Sequence, residues 1–118
     1  MIRRSITLLV PGLLLLALAV TLQWAAGAYR AEFDDSDEAA HYVTGLMVRD
    51  YIASFDFSHP IRYAENYYLH YPKVGLGHWP PVFYLVQSAW ILVFPPSRAS
   101  SLLLMALLAA LAALAIYD

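Results

Sequence analysis

Residues 6–28 read ITLLVPGLLLLALAVTLQWAAGA, 23 positions without one charged side chain. As an α-helix this run is about 34 Å long, enough to cross a hydrocarbon layer about 30 Å thick. A second uncharged run, ASSLLLMALLAALAALAIY, occupies residues 99–117. The whole composition agrees with these two segments. The 118 residues are 61% hydrophobic and 14% charged, with a mean hydropathy of +0.57, which is too apolar for an ordinary soluble domain or a disordered tail. Seven Lys and Arg against nine Asp and Glu leave a formal charge of −2 with no basic block, so no nucleic-acid partner is expected. The absence of cysteine excludes disulfides, zinc fingers and thiol nucleophiles together.

Arg3 and Arg4 precede the first run and, under the positive-inside rule, hold the N-terminus in the cytoplasm. Ala26-Gly27-Ala28 also satisfies the small-residue pattern of a signal-peptidase site. The run is longer than the apolar core of a signal peptide and further apolar segments follow, which favours an uncleaved first span over residues 6–28. Residues 29–79 then form an external loop. Between Arg30 and Trp79 lie eight acids, four bases and all four histidines, so the candidate chemistry is concentrated there. Asp35 followed by Glu38 is a capping-box pattern opening a helix over residues 35–54. Ala39, Tyr42, Val43, Leu46, Met47 and Tyr51 repeat at helical spacing along it. The helix is expected to lie in the membrane interface, with Val43, Leu46 and Met47 toward lipid or neighbouring helices and His41 on the wetter side. Phe57 to Pro60 reads as a loop, and the tyrosines between Arg62 and Tyr71 suit headgroup depth. Pro80-Pro81 opens a second span over residues 80–96; the 16 residues from Trp79 to Phe94 make about 24 Å of helix. Ser97 and Arg98 form a cytoplasmic turn, and residues 99–117 return as a third span. The expected fold is all-α integral membrane, three transmembrane helices with a large extracytoplasmic loop carrying an interfacial amphipathic helix, in the cell (inner) membrane.

The cluster Asp34, Asp35, Asp37 and Glu38 stands at the start of the loop helix, where the positive end of the helix dipole stabilises carboxylates. Asp35 is accounted for by capping; Asp37 and Glu38 are the candidates for catalysis. Glu38 and His41 are three residues apart, a spacing that puts both on one helix face as in metal-binding helices. His78 precedes Trp79-Pro80-Pro81 and places an imidazole where the chain turns back toward the bilayer. Lys73 and Arg62 are the loop cations suited to a phosphate or an anionic headgroup. His59 and His70 have no diagnostic context.

A short basic N-terminus, one helix, an Asp37-Glu38 loop helix, then His78-Trp79-Pro80-Pro81 and a helical hairpin follow in an order that resembles the N-terminus of GT-C glycosyltransferases. The similarity is to the bacterial branch related to protein mannosyltransferases and aminoarabinose transferases, and it runs along nearly the whole chain. Those enzymes carry a functional Asp-Glu in the first external loop and a His/Glu-Lys-Pro-Pro-like motif after it. Trp79 stands where that motif has lysine, leaving Lys73 as the cation to meet a donor phosphate. The resemblance implies sugar transfer from a polyprenyl-phosphate donor to an acceptor at the extracytoplasmic face. Asp37 would deprotonate or orient the acceptor hydroxyl. Arg62, Lys73 or a divalent metal ion would balance the departing phosphate, and Glu38 and His78 would orient Asp37, bind metal or contact the acceptor. Direct attack inverts the anomeric centre. Such enzymes have many more spans, so this chain reads as an N-terminal portion, inactive alone. The competing reading is a small non-catalytic membrane accessory protein whose loop helix docks on a partner.

Overall fold

The computed structural model describes residues 2–33, 35–75, 77 and 79–117. It is all-α, with five helices: α1 (Ile2–Ala25), α2 (Ser36–Ser54), α3 (Pro60–His70), α4 (Pro81–Val93) and α5 (Arg98–Tyr117). They divide into two compact units, one made by α1 and α5 and the other by residues 32–97.

In the first unit, strong helix formers (Leu, Ala) carry both helices, and α1 absorbs Pro11 in its interior. Leu8–Ala25 and Arg98–Ile116 are long and apolar enough to cross a membrane. Leu9, Leu13, Leu14, Leu18 and Leu22 of α1 face outward, Leu14 at 66% exposure and Leu22 at 60%, a surface that water does not favour and a bilayer does. Three contacts fix the register of the pair. Gly12 lies against Leu114, so that an added Cβ would stand 2.9 Å from its Cδ1. Gln23 Nε2 donates to the Leu102 carbonyl at 2.9 Å and accepts from Tyr29 Oη at 2.8 Å. The Arg98 guanidinium donates to the carbonyls of Ala28 and Ala31, in the segment just after α1. As the α1 partner advances from 12 to 23 to 28, the α5 side recedes from 114 to 102 to 98. The helices are therefore antiparallel. This corrects the expected topology: Arg98 stands at the end of α1 opposite Arg3 and Arg4, whereas a three-span chain would put it at the same end.

The second unit is built on α2 and α4. Asp35 caps α2 from an extended backbone (φ −94°, ψ 140°), its carboxylate accepting from Asp37 N at 2.9 Å. The buried face of α2 is Ala40, Thr44 and Gly45, with Val43, Leu46 and Met47 only half-buried. Close approach selects small side chains over large apolar ones, which is why the expected apolar stripe is not the packed seam. His41 meets Tyr84 and Gly45 meets Gln87, so both registers rise together and α2 and α4 run parallel. The second expected span, residues 80–96, shrinks to the 13 residues Pro81–Val93, about 20 Å. Proline sets both limits. Pro81 sits in the first turn, where no N–H is needed, and Pro95 holds Phe94 extended at φ −108°, ψ 156°.

The sequence reading has no counterpart for α3. Pro60 starts it, and Tyr63, Tyr67 and Tyr71 follow at four-residue intervals, so their rings stack down one face. Tyr51 of α2 meets Tyr63 at 5.0 Å between centroids and Phe57 at 5.5 Å, joining the two helices.

Candidate functional site

The N-terminal parts of α2 and α4 meet at His41. Its Nδ1 is 2.7 Å from Tyr84 Oη. Its ring lies 4.2 Å from Trp79 between centroids and edge-on to Phe83 at 6.2 Å. His41 is thus in an aromatic seat, not on the wetter side expected for it. The Trp79 indole rests in turn on Gly75, where an added Cβ would fall 2.1 Å from Cζ3. Gly75 N donates to Thr44 Oγ1 at 3.0 Å, and that hydroxyl donates to the Ala40 carbonyl at 2.7 Å. The effect is to hold Gly75, and the Trp79 indole that rests on it, against α2 one helical turn from His41.

Asp37 and Glu38 head this arrangement in the first turn of α2, Asp37 exposed and Glu38 half-buried. Glu38 and His41 do share a face, but His41 Nδ1 is engaged by Tyr84, and among the described residues no group of three His, Asp or Glu gathers. The described residues therefore do not fit a divalent ion, which needs more ligands than this pair supplies. Lys73 is exposed two residues before Gly75 in the chain. His78 lies outside the described residues.

Arg62 is not brought to this place. It lines a separate cleft of about 300 Å³ with Ser54, Asp56, His59, Tyr63 and Asn66. Ser54 is 17 positions along α2 from Asp37, roughly 26 Å of helix, too far for one substrate phosphate to bridge.

Sequence reasoning missed Tyr84, Thr44, Gly45 and Gly75, which build the seat, and the buried Gln87. Gln87 is 3% exposed, and its Oε1 finds no partner among the described residues. Tyr84, Gln87, Ser88 and Ile91 are the buried positions of α4, a 3–4 periodicity that was legible inside an otherwise uniformly apolar run. Also missed is Asp50, which accepts from Tyr67 Oη at 3.1 Å and pairs with Arg49 at 2.5 Å. Burial, then the nearby Asp50 charge, pushes the Tyr67 phenol well above its usual range; burial likewise raises Tyr63 and Tyr42. Asp56 is held below the usual carboxylate range by hydrogen bonds from the Ser58 hydroxyl and backbone.

No protein-family model, no curated protein and no solved structure matches this chain.

Proposed function

We propose that the chain is the N-terminal portion of a GT-C-like membrane glycosyltransferase that transfers a sugar from a polyprenyl-phosphate donor at the extracytoplasmic face of the cell membrane. The observation that carries this reading is the His41 seat. It brings the Asp37-Glu38 turn and the Trp79-Pro80-Pro81 start, some forty residues apart, to one end of a parallel helix pair. The antiparallel α1 and α5 support the placement. With both crossing the bilayer and Arg3 and Arg4 in the cytoplasm, residues 32–97 leave and return on the outer side. Arg98 is then a tie to the turn after α1, through the Ala28 and Ala31 carbonyls, and not a cytoplasmic anchor.

In this reading the acceptor hydroxyl oxygen attacks the anomeric carbon and its proton passes to the Asp37 carboxylate. The bond from that carbon to the phosphate oxygen breaks, the electron pair leaves with the polyprenyl phosphate, and the anomeric centre inverts. Lys73 offers the charge that a departing phosphate needs. Glu38 orients Asp37, and Trp79 gives the sugar or prenyl chain an apolar wall.

The test is sugar transfer by membranes containing the product of the complete reading frame. Asp37→Asn keeps shape and removes the proton acceptor, a role typically worth about 10² to 10⁴ in rate. Asp35→Asn keeps the cap, since Asn caps nearly as well as Asp, and should retain activity. Near wild-type turnover in Asp37→Asn, or greater damage from Asp35→Asn, would refute the assignment.

A further inference from the structure

The cleft at the far end of α2 has a composition that the proposed transfer chemistry does not use. Its 300 Å³ are walled by Ser54 at the end of α2, Asp56 after it, His59 just before α3, and Arg62, Tyr63 and Asn66 on α3. Such a volume is at the small end of ligand sites, which pair an apolar surface with a few convergent polar groups. Arg62 and Asn66 are one turn apart on α3, and among the described residues no side chain pairs with the guanidinium or the Asn66 amide. Asp56 spends Oδ1 on Ser58 and keeps Oδ2. His59 Nδ1 is taken by Ser58 Oγ at 2.8 Å, leaving Nε2. The cleft thus offers fixed donors (Arg62, Asn66) and fixed acceptors (Asp56, Asn66) around the Tyr63 ring.

The mixture of signs decides the ligand class. A phosphate wants donors only, and the Asp56 carboxylate in the same small cleft opposes an anion. A cation wants oxygen ligands and meets Arg62 instead. A neutral ring carrying several hydroxyls satisfies both sets, because each hydroxyl donates once and accepts twice, and its C–H faces suit an aromatic wall. We propose that this cleft binds a saccharide ring, with Tyr63 as its apolar wall and Arg62, Asn66 and Asp56 as its hydroxyl partners. The exposed Ile61, Tyr68 and Leu69 lie elsewhere on α3, with the charged Glu65 between Ile61 and the other two. The site stands apart from Asp37 and does not rest on its assignment.

The experiment uses the full chain in lipid nanodiscs, with saturation-transfer NMR against methyl α-mannopyranoside and methyl α-glucopyranoside, and inorganic phosphate as the opposing probe. At least one glycoside should show millimolar binding. The double variant Arg62→Met, Asn66→Ala, both exposed positions, should weaken it roughly tenfold or more, the loss expected of one or two hydrogen bonds. Tyr63→Leu tests the aromatic wall separately. Asp37→Asn should bind as the wild type, so failure of the proposed transferase leaves this result readable. Absence of both glycoside signals, displacement of the glycoside by phosphate, or unchanged binding in the double variant would each overturn the proposal.

Discussion

Replacing Gly75 by alanine tests the seat on which the candidate site is built. In an unstrained loop, Gly→Ala stabilises by about 0.4–1 kcal/mol, because the unfolded chain loses freedom. Here the new Cβ would fall 2.1 Å from Trp79 Cζ3 and 2.6 Å from Cε3, against about 3.5–4.0 Å for ordinary carbon contact. The indole must withdraw by roughly 1.5 Å, and it is a rigid ring with His41 only 4.2 Å away between centroids. Overpacking of this kind costs about 1–3 kcal/mol, so the sign of the effect reverses from stabilising to destabilising. The assay is a double-mutant cycle of Gly75→Ala and Trp79→Ala on the chain in detergent, read by reversible unfolding. A background of Trp24→Phe and Trp90→Phe leaves Trp79 as the reporting fluorophore for the Gly75 arm. Gly75→Ala alone should destabilise and red-shift Trp79 emission as the indole leaves its seat, and the loss should vanish when Trp79 is alanine. A Gly75→Ala protein as stable as the parent, with unshifted emission, would show that Trp79 does not rest on this glycine.

Four further outcomes follow from the same structure. A reporter inserted between Ser97 and Arg98 should report the side of the membrane on which Arg30 lies, opposite the N-terminus; a reporter on the N-terminal side would restore the three-span topology. Gln87→Met should be neutral or stabilise by about 1 kcal/mol in denaturant unfolding, since it removes a buried oxygen with no partner among the described residues. Asp35→Ala should cost about 1 kcal/mol of helix stability by the same measurement, and Asp35→Asn little. Tyr67 has a phenol raised by burial and by Asp50, so its neutral form stabilises the fold fully below the ordinary value of 10.0. Raising the pH above that value should erode stability as the unfolded phenol ionises first, and Asp50→Asn should bring the phenolate absorbance transition to lower pH.

The helix starts were legible because single residues impose them. Asp35 and Pro81 announce α2 and α4 through a side-chain acceptor and a fixed φ, and both function where expected. The partner face of α2 was not legible. Hydrophobic periodicity selects Val43, Leu46 and Met47, yet the seam needs a small residue wherever another helix comes close, and only the location of Gln87 reveals that Gly45 is that residue. The same limit hid the role of His41. An i, i+3 pair with Glu38 suggests a metal, and the hydroxyl that engages its ring belongs to Tyr84, 43 positions away. No local pattern carries such a pairing. Helix α3 escaped for a different reason: aromatic density reads as interface anchoring, although the four-residue spacing of Tyr63, Tyr67 and Tyr71 already has a helical period.

The topology turned on a charge with two physical explanations. An arginine beside an apolar run marks the cytoplasmic side when its head group seeks water and anionic lipid. The same arginine can instead satisfy free backbone carbonyls in the turn that follows a neighbouring helix. Arg98 does the second, binding Ala28 and Ala31, and the choice propagates through the chain. Once Arg98 and the end of α1 are neighbours, α1 and α5 run antiparallel, and α4 between them has only 13 residues, about 20 Å of helix. Asp37, Glu38, Lys73 and Trp79 all belong to the one compact unit of residues 32–97. All four precede α4, so whether α4 crosses a membrane does not separate them.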